Sequence, residues 1–352
     1  MKKVLCLFLV MVLVLVGCNN NNEVPEEQPV KEVTPETPSA VSEPDTPEFK
    51  FTIATSATAN SIIGQTMQYA ADLINDRSEG KIIVDTFPDG QLGSDTELVE
   101  GVQLGTITMV IGTTAPQVSF VPDLAVFDIP NVYSDIPTAQ TVLSQFKGKM
   151  DNQFNEKGFH LCAMFPTVFR YMSSSKEVRT IDDFNGIKIR TMENPYHMAY
   201  WNALGATATP LAFSELYIGL QQGLVHAQEN PLDIFMSSKF YEQQDYIIDT
   251  KHIAFIATIL MNKEQWDSMP AEYQELMNEC FEEASKFGAE NAKIVEDENK
   301  QKIIEAGVEI IELDQATYDA MFEKSLSVQD MIREAVGDEL VDDYLSAIEA
   351  AK

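Results

Sequence analysis

The sequence predicts an α/β protein of two lobes, and three observations support this class. Strands and helices alternate from Phe49 onward, the foldable part of the chain is long, and its last hundred residues are mostly helical. The foldable part runs to about 300 residues, whereas single hydrophobic cores stop growing at about 250–300 residues. We therefore expect two α/β lobes, with long helices at the C-terminus.

The chain from 49 to 112 has the order strand–helix–strand–helix–strand. Apolar side chains of the first helix, 61–76, recur at steps of three and four residues, which is typical of a helix with one buried face. The strands are "FKFTIAT" (49–55), "KIIVDTF" (81–87) and "ITMVIG" (107–112), and a second helix covers 95–104. This order indicates an α/β lobe.

The middle of the chain continues the alternation after a loop with four prolines. Helices are predicted at 138–156, 196–204, 214–222 and 232–244, and strands at 159–165, 168–174, 187–190, 206–211 and 224–230. A β-rich run, Ile247–Met261, follows them. It is long enough to pass from one lobe to the other.

The C-terminal part contains one strand, 308–313, between helices. Apolar residues recur at helical spacing from 266 to 287, while most glutamates of that stretch fall on the other face. The apolar residues are Trp266, Met269, Tyr273, Leu276, Met277, Cys280, Ala284 and Phe287. We interpret this stretch as a helix that packs on the core; a helix that binds a partner is the alternative.

The first 17 residues have the features of a bacterial lipoprotein signal. Lys2 and Lys3 precede a continuous apolar run that is too short to span a membrane, and small residues precede Cys18. We expect cleavage before Cys18 and a thioether-linked lipid on it, which would anchor the mature protein outside the cytoplasm. An ordinary secretory signal with an incidental cysteine is the alternative.

Residues 18–48 are predicted to be a disordered tether. The stretch 19–48 holds six prolines and eight acidic residues and almost no large apolar side chain, so it cannot bury enough surface to fold. Without Lys2 and Lys3 the mature chain has 22 basic against 55 acidic residues, a net charge of −33. This charge argues against a nucleic-acid partner.

No catalytic, cofactor or metal motif is present. The sequence lacks nucleotide-binding glycine loops, a nucleophile elbow and a zinc-protease motif, and its four histidines do not have metal-ligand spacing. We expect no enzyme activity and no cofactor. Cys162 and Cys280 are the cysteines of the foldable part, and two separate buried thiols fit their apolar surroundings better than a disulfide.

Two arginines stand where predicted strands meet loops. Arg170 follows "PTVF" and Arg190 ends "GIKI". Ligands of open α/β sheets bind beyond strand ends, and a guanidinium can hold a carboxylate with two parallel hydrogen bonds. The alternating pattern does not decide whether either arginine binds a ligand, because each could equally pair with an acidic side chain on the surface. Lys188 also lies on the same strand face as Arg190.

Several separated stretches match one known family. They are the strand that ends in Arg190, "TPLAFSELYIGLQQG" (209–223), "QENP" (228–231), the region 78–112, "PDLAVFDIPNVY" (122–133), and Arg170 ahead of "YMSSSKEVRTIDDF". Together they resemble the DctP-type solute-binding subunits of TRAP (tripartite ATP-independent periplasmic) transporters. The resemblance covers essentially all of 49–352.

The resemblance implies a two-lobed, periplasmic-binding-protein-like fold that closes on a small organic acid. It implies that Arg190 makes a bidentate salt bridge to the ligand carboxylate and that Arg170 adds a second cationic contact. Asn230 would hydrogen-bond the same carboxylate region, and Phe213 would pack over the ligand. The bound acid would pass to a small and a large membrane subunit.

Two departures from the family pattern bear on the ligand. Thr113 stands near the position where sialic-acid binders carry a carboxylate, and "TSATANS" lacks a histidine that many members carry. Further candidates for ligand contact are Thr55, Ser56, Asn60, Glu97 and Glu193. A C4-dicarboxylate would use both arginines, and a sugar acid or other hydroxy acid would use one.

We also expect a particular division of the chain between the two lobes. The first lobe would comprise 49–167 and about 256–295, and the second lobe 168–255 and about 296–352. We expect a monomer. The rival interpretations are a binding lipoprotein of an ATP-driven importer, a ligand-presenting receptor for a sensor kinase, and, more remotely, an extracytoplasmic enzyme.

Overall fold

The computed structural model describes residues 46–352. The predicted signal 1–17, the lipidation site Cys18 and nearly all of the predicted tether 18–48 lie outside the described residues. Between residues 46 and 352, no helix has both the length and the apolar run that crossing a bilayer requires.

The described residues form strands and helices in the alternating order that the sequence predicts. The strands are β1 (Phe49–Ala54), β2 (Ile82–Phe87), β3 (Met109–Thr113), β4 (Phe159–Phe169), β5 (Tyr171–Ser174), β6 (Lys188–Thr191), β7 (Thr207–Pro210), β8 (Ala227–Asn230), β9 (Tyr246–Ile248), β10 (Ala254–Asn262) and β11 (Glu309–Ile311). The α-helices are α1 (Ile62–Arg77), α2 (Asp95–Gln103), α3 (Ile136–Glu156), α4 (Pro195–Leu204), α5 (Phe213–Gln221), α6 (Leu232–Ser237), α7 (Lys263–Asp267), α8 (Ala271–Glu305), α9 (Gln315–Val336) and α10 (Asp338–Ala351).

The first lobe is built on a five-stranded sheet with the order β2-β1-β3-β10-β4. β1 runs parallel to β2 and β3, as the βαβαβ pattern at 49–112 requires. β10 runs antiparallel to both β3 and β4. A strand from late in the chain therefore completes the sheet of the early strands.

The second lobe is built on a six-stranded sheet with the order β11-β9-β5-β8-β6-β7. β6 is parallel to β7 and β8, whereas β5 is antiparallel to β8 and β9. The two sheets confirm the predicted α/β fold of two lobes.

Three segments connect the lobes: the long helix α8 leads from the first lobe to β11 of the second, and two shorter segments neighbour each other. β4 of the first sheet reaches β5 of the second through Arg170 alone, and β9 returns to β10 through residues 249–253. The backbone N–H of Arg170 donates to the carbonyl of Ile253 over 2.9 Å, so the two segments are hydrogen-bonded where they cross. This arrangement places Arg170 at the junction of the lobes.

The long helix α8 packs its apolar face on the first lobe. Tyr273, Met277, Cys280 and Ala284 are buried against α1 and β4, so the core-packing interpretation of this stretch agrees with the structure. A side chain at Gly288 would lie 2.7 Å from Thr66 Oγ1, so only glycine permits this approach of α8 to α1. Trp266 belongs to the separate α7, because Pro270 lacks the N–H that would continue the helix.

One predicted helix is interrupted in the structure, and the predicted β-rich run passes between the lobes as two strands. Residues 232–244 are not one helix, because Lys239 adopts a left-handed conformation (φ 58°) between α6 and a 3₁₀ turn, Phe240–Glu242. The run Ile247–Met261 is two strands in different sheets, separated at Lys251, which also has positive φ. The division of the lobes at residues 167, 255 and 295 stays a prediction.

Candidate functional site

A cavity lies between the two sheets, at the carboxyl ends of β1, β3, β6 and β8. It measures about 400 Å³ with its open mouth included, of which about 30 Å³ has room for the centres of water molecules. Ligand sites of open α/β sheets occur at such strand ends because the loops there leave a crevice. Polar side chains of both lobes line it: Thr55, Ser56, Asp95 and Thr113 from the first, and Arg170, Arg190 and Asn230 from the second.

Six of the nine sequence-predicted ligand residues line this cavity. They are Ser56, Thr113, Arg170, Arg190, Phe213 and Asn230. These residues are far apart along the chain but meet at one cavity, because four strand ends of two sheets converge there. Thr55, the further candidate, lines the cavity as well.

The other three predicted residues lie elsewhere. Glu97 closes a capping box at the start of α2, where its carboxylate accepts hydrogen bonds from the backbone and hydroxyl of Ser94 at 2.8 Å. Glu193 accepts a hydrogen bond from Thr96 Oγ1 over 2.8 Å and lines a smaller neighbouring space beside Arg190. Asn60 is exposed ahead of α1. Contact of any of the nine with a ligand stays a prediction.

Arg190 is buried without a carboxylate partner. Its side chain sits near the end of β6 with 2 % of its surface exposed, whereas Lys188 on the same strand is exposed. Nε donates to the carbonyl of Leu211 over 2.8 Å, and the guanidinium lies 5.8 Å from the ring centre of Phe213. Among residues 46–352, no carboxylate lies within salt-bridge distance of Arg190.

The environment of Arg190 disfavours its charge. Burial lowers the pKa of the guanidinium to about 10, and the charges of Asp95, Glu229 and Glu193 offset only part of this effect. The terminal nitrogens of Arg190 have no acceptor within the described part of the chain and face the cavity. An anion in the cavity would supply both the missing charge and the missing acceptors.

Arg170, by contrast, has a complete ion pair. Its Nε and Nη2 bind the two carboxylate oxygens of Glu229, the latter over 3.0 Å, and Nη2 also donates to Asn230 Oδ1 over 2.9 Å. Glu229 and Arg170 are 0 and 1 % exposed. Only Nη1 of Arg170 is buried without an acceptor. The pair holds Asn230 in place at the cavity wall.

A network of buried polar groups extends behind this pair. His252 Nε2 lies 3.1 Å from Glu229 Oε2, and His197 lies 3.7 Å from Oε1 of the same carboxylate. His197 also bonds Asp128 over 3.0 Å, and Asn194, the N-cap of α4, donates to Asp128 over 2.7 Å. The network joins α4 of the second lobe to the 3₁₀ segment that contains Asp128.

The network shifts the pKa values of its members. Burial alone would raise the pKa of Glu229, but Arg170 and the two histidines hold it well below its usual value. Burial opposes protonation of His197, but Asp128 and Glu229 outweigh it and raise its pKa to about 9. Glu229 is therefore a carboxylate, and His197 carries a proton, at neutral pH.

Two charged residues of the site escaped the sequence-based prediction. Asp95, at the start of α2, accepts a hydrogen bond from Ser56 Oγ over 2.6 Å and lines the cavity. In the sequence Asp95 stands in "SDTE", two residues before the predicted Glu97. Glu229 stands inside the matched motif "QENP", but nothing in the motif tells which cation it pairs with.

The described residues show no metal site and no disulfide. Between 46 and 352, no group of three or more His, Cys, Asp and Glu side chains is placed to hold a metal ion. Cys162 and Cys280 are free and buried, and burial raises the pKa of Cys280 to about 11 and that of Cys162 further. Neither thiol has the thiolate character of a nucleophile.

Comparisons with known proteins agree with this architecture. The model of the family DctP, described as "Bacterial extracellular solute-binding protein, family 7", matches residues 53–335. A solute-binding protein of Verminephrobacter eiseniae is 38% identical over 249 residues, which cover 70% of this chain and 73% of that protein. The 2,3-diketo-L-gulonate-binding periplasmic protein YiaO of Escherichia coli is 31% identical, over 68% of this chain and 74% of its own.

A solved structure supports the fold directly. The TRAP periplasmic solute-binding protein of Desulfovibrio salexigens with bound orotic acid superposes with a TM-score of 0.82 and is 29% identical; the match covers 86% of this chain and 99% of that one. The family places its members outside the cytoplasm and comprises solute-binding proteins. The chain belongs to the DctP family of bacterial extracellular solute-binding proteins, as a solute-binding subunit of the TRAP type.

Proposed function

We propose that this protein captures a small organic acid in the cavity between its lobes, with Arg190 as the carboxylate anchor. The observation that carries the proposal is the buried guanidinium of Arg190, which lacks a carboxylate partner among residues 46–352 and faces the cavity. A buried charge is costly unless an opposite charge and hydrogen bonds compensate it. A ligand carboxylate is such a partner, and a guanidinium can bind it with two parallel hydrogen bonds.

The ligand class that the site favours is a hydroxy acid with one carboxylate, such as a sugar acid. Arg170 already balances Glu229, so the cavity offers one uncompensated cation. Asp95 and Thr113 face it from the other lobe and can accept hydrogen bonds from hydroxyl groups, and Asp95 would repel a second carboxylate. Diketogulonate and orotic acid, named for the two relatives, each carry one carboxyl group beside neutral oxygens.

A C4-dicarboxylate is the second candidate ligand, and one observation favours it. Nη1 of Arg170 is buried without an acceptor, and Arg170 lines the cavity. A second carboxylate could accept this remaining hydrogen bond. Competition between a hydroxy monocarboxylate and succinate in one calorimetric titration separates the two candidates.

The proposed mechanism is closure of the two lobes on the ligand. The anchor belongs to the second lobe, while Asp95, Ser56 and Thr113 belong to the first, so a ligand that touches both favours the closed form. Direct contacts that already join the lobes include Thr96, which donates to Glu193, and the backbone N–H of Ile62, which donates to Asp233 over 2.9 Å. The hinge lies where Arg170 and Ile253 cross, with lobe boundaries near 167, 255 and 295.

The remaining parts of the proposal concern partners and location. The closed protein delivers its ligand to the small and large membrane subunits of a TRAP transporter and catalyses no reaction itself. A lipid on Cys18 anchors it to the membrane through the segment 18–48. Replacement Cys18→Ser is expected to release the protein from the membrane fraction without changing its ligand affinity.

A thermal-shift screen against organic acids tests the proposed function. A ligand at 100 times its dissociation constant adds roughly 2.7 kcal/mol to the free energy of unfolding. We expect hydroxy monocarboxylates to raise the melting temperature of the wild type and not of Arg190→Ala. Stabilisation of both proteins by the same acid would contradict the assignment of Arg190.

A further inference from the structure

A second concave region lies on the first lobe, away from the ligand cavity. It is a slot between α3 and α8, with β4 as its floor, and it measures about 1140 Å³ with its open mouth included. One wall carries Lys147, Asp151 and Asn155 of α3, and the other carries Asn278, Glu282 and Ser285 of α8. We call it the edge slot.

The floor of the edge slot is the side edge of a strand and not its face. Residues 160, 161, 162, 163 and 164 all line the slot. Side chains of a strand alternate between the two faces of the sheet, so a groove on one face would be lined by every second residue. Consecutive lining residues indicate that the slot opens on the edge of β4, which is the last strand of its sheet.

The hydrogen-bonding pattern of β10 shows which backbone groups of β4 point into the slot. Asn262 N–H donates to the carbonyl of Thr108, and Thr114 N–H donates to the carbonyl of Ile256. Even-numbered residues of β10 therefore bond toward β3. Because bonded and non-bonded pairs alternate in an antiparallel ladder, the partners of these residues on β4 direct their N–H and C=O away from β10.

Two residues of β4 meet this condition at the slot floor. Leu161 lies opposite Leu260, and Met164 lies opposite Thr258, with the ladder irregularity at Cys162 between them. Outside the ladder, no hydrogen bond among residues 46–352 reaches the backbone of Leu161 or Met164. Their N–H and C=O groups form a short row of unpaired donors and acceptors.

We propose that the edge slot binds an extended polypeptide segment of another protein as an additional strand beside β4. Alternating backbone donors and acceptors are complementary to the backbone of an extended chain, and strand addition is a general mode of peptide recognition. The floor spans five residues, about 17 Å at the rise of a strand, which matches a segment of about five residues.

The edge of β4 is recessed between two helices, and this favours binding of a single extended segment over pairing with a second copy of this chain. α3 and α8 stand on both sides of β4, so the edge strands of two copies cannot approach each other without collision of these helices. A lone extended segment has no such flanking helices. His160 also lines the slot, and its ring stacks on Trp266 with the ring centroids 3.7 Å apart.

The experiment identifies the segment and then tests how it binds. A photo-crosslinking residue replaces Asn155, which lines the slot, in the full chain expressed in its host, and the same residue at exposed Asn152 on α3 is the matched control. We expect a discrete adduct from position 155 alone, with the attachment point in one segment of the partner. A synthetic ten-residue peptide of that segment should slow amide exchange of Leu161 and Met164 at least tenfold and leave Ala163, which faces β10, unchanged.

A second test of the proposal is a substitution that blocks the edge slot. Asn278→Trp places a large ring in the slot from an exposed position, and Glu279→Trp places the same ring on the neighbouring exposed residue outside it. Only Asn278→Trp should abolish the adduct and the exchange protection, with organic-acid affinity equal in both variants. An equal yield of adduct from positions 155 and 152, or a bound peptide that leaves the Leu161 and Met164 amides unprotected, would overturn the proposal.

Discussion

Arg170 and Arg190 line the same cavity and are buried to the same degree, but their charges are balanced differently. Arg170 forms a two-point ion pair with Glu229, which in turn contacts two histidines. Arg190 has one hydrogen bond to a backbone carbonyl and no carboxylate partner between residues 46 and 352. Burial lowers the pKa of Arg190 to about 10.

This contrast indicates different roles for the two arginines. The ion pair of Arg170 is satisfied within the protein, so it supports the fold and positions Asn230. The charge of Arg190 is left for something outside the described chain to balance. Mutations at the two positions should therefore separate stability from affinity.

The largest expected effect is a loss of stability in Arg170→Met. Removal of the guanidinium leaves the buried carboxylate of Glu229 without its main counter-charge, which typically costs about 3–5 kcal/mol. Urea unfolding of the ligand-free protein measures it. The double variant Arg170→Met/Glu229→Gln should recover part of the loss, and a single variant within 1 kcal/mol of the wild type would refute the structural role.

The next effect is a loss of affinity in Arg190→Ala. Removal of one partner of a buried ligand ion pair should weaken binding by roughly 2–5 kcal/mol, about one and a half to three and a half decades in the dissociation constant. Calorimetric titration with an acid identified by thermal shift measures the change. Exposed Lys188→Ala on the same strand is the control and should bind like the wild type.

Arg190→Lys tests the geometry of the anchor. Lysine keeps the charge but loses the planar fork that binds two carboxylate oxygens. We expect binding between that of the wild type and that of Arg190→Ala, measured in the same titration. Wild-type affinity in this variant would show that charge alone suffices.

A pH series tests the network on the Arg170 side. The pKa of His197 is raised in the folded protein to about 9, above its unfolded value near 6.5. Its contribution to stability is therefore complete below about pH 6.5 and is lost as the pH rises through about 9. We expect the free energy of unfolding to fall over this range by an amount on the order of 3 kcal/mol.

His197→Asn is the control for the pH series. The variant should lack the part of the decline that the wild type shows between pH 6.5 and 9.5, when unfolding is followed in urea at each pH. Identical pH profiles of the two proteins would contradict the protonated state of His197.

The smallest expected effect concerns the first-lobe wall that faces Arg190. Asp95→Asn should weaken binding of a hydroxy acid by about 1 kcal/mol, the usual net contribution of a hydrogen bond, and should improve binding of succinate because a repelling charge is gone. Glu97→Gln, two residues along the same helix, should leave the ratio of the two affinities unchanged. A ratio that moves with Glu97 and not with Asp95 would reverse the two assignments.

The alternation of strands and helices was predictable from the sequence, because hydrophobic periodicity is a local signal. The two arginines at strand ends were also visible locally. The sequence also placed Arg190, Asn230, Phe213 and Thr113 at one site, through motifs that resemble a known family. The pairing of Arg170 with Glu229 was not predictable, because it depends on β5 and β8 being neighbours in the sheet. Asp95 was not predictable from the sequence, because the fold decides that the Glu97 carboxylate closes a capping box while Asp95 lines the cavity.

We infer that a bound ligand, and no group among residues 46–352, balances the charge of Arg190. Urea unfolding of ligand-free Arg190→Met tests it most directly, since methionine keeps much of the apolar stem and removes an uncompensated buried charge. We expect a free energy of unfolding equal to or higher than that of the wild type, together with loss of organic-acid binding. A loss of stability like that of Arg170→Met would show that Arg190 already has its partner within the protein and would contradict the account.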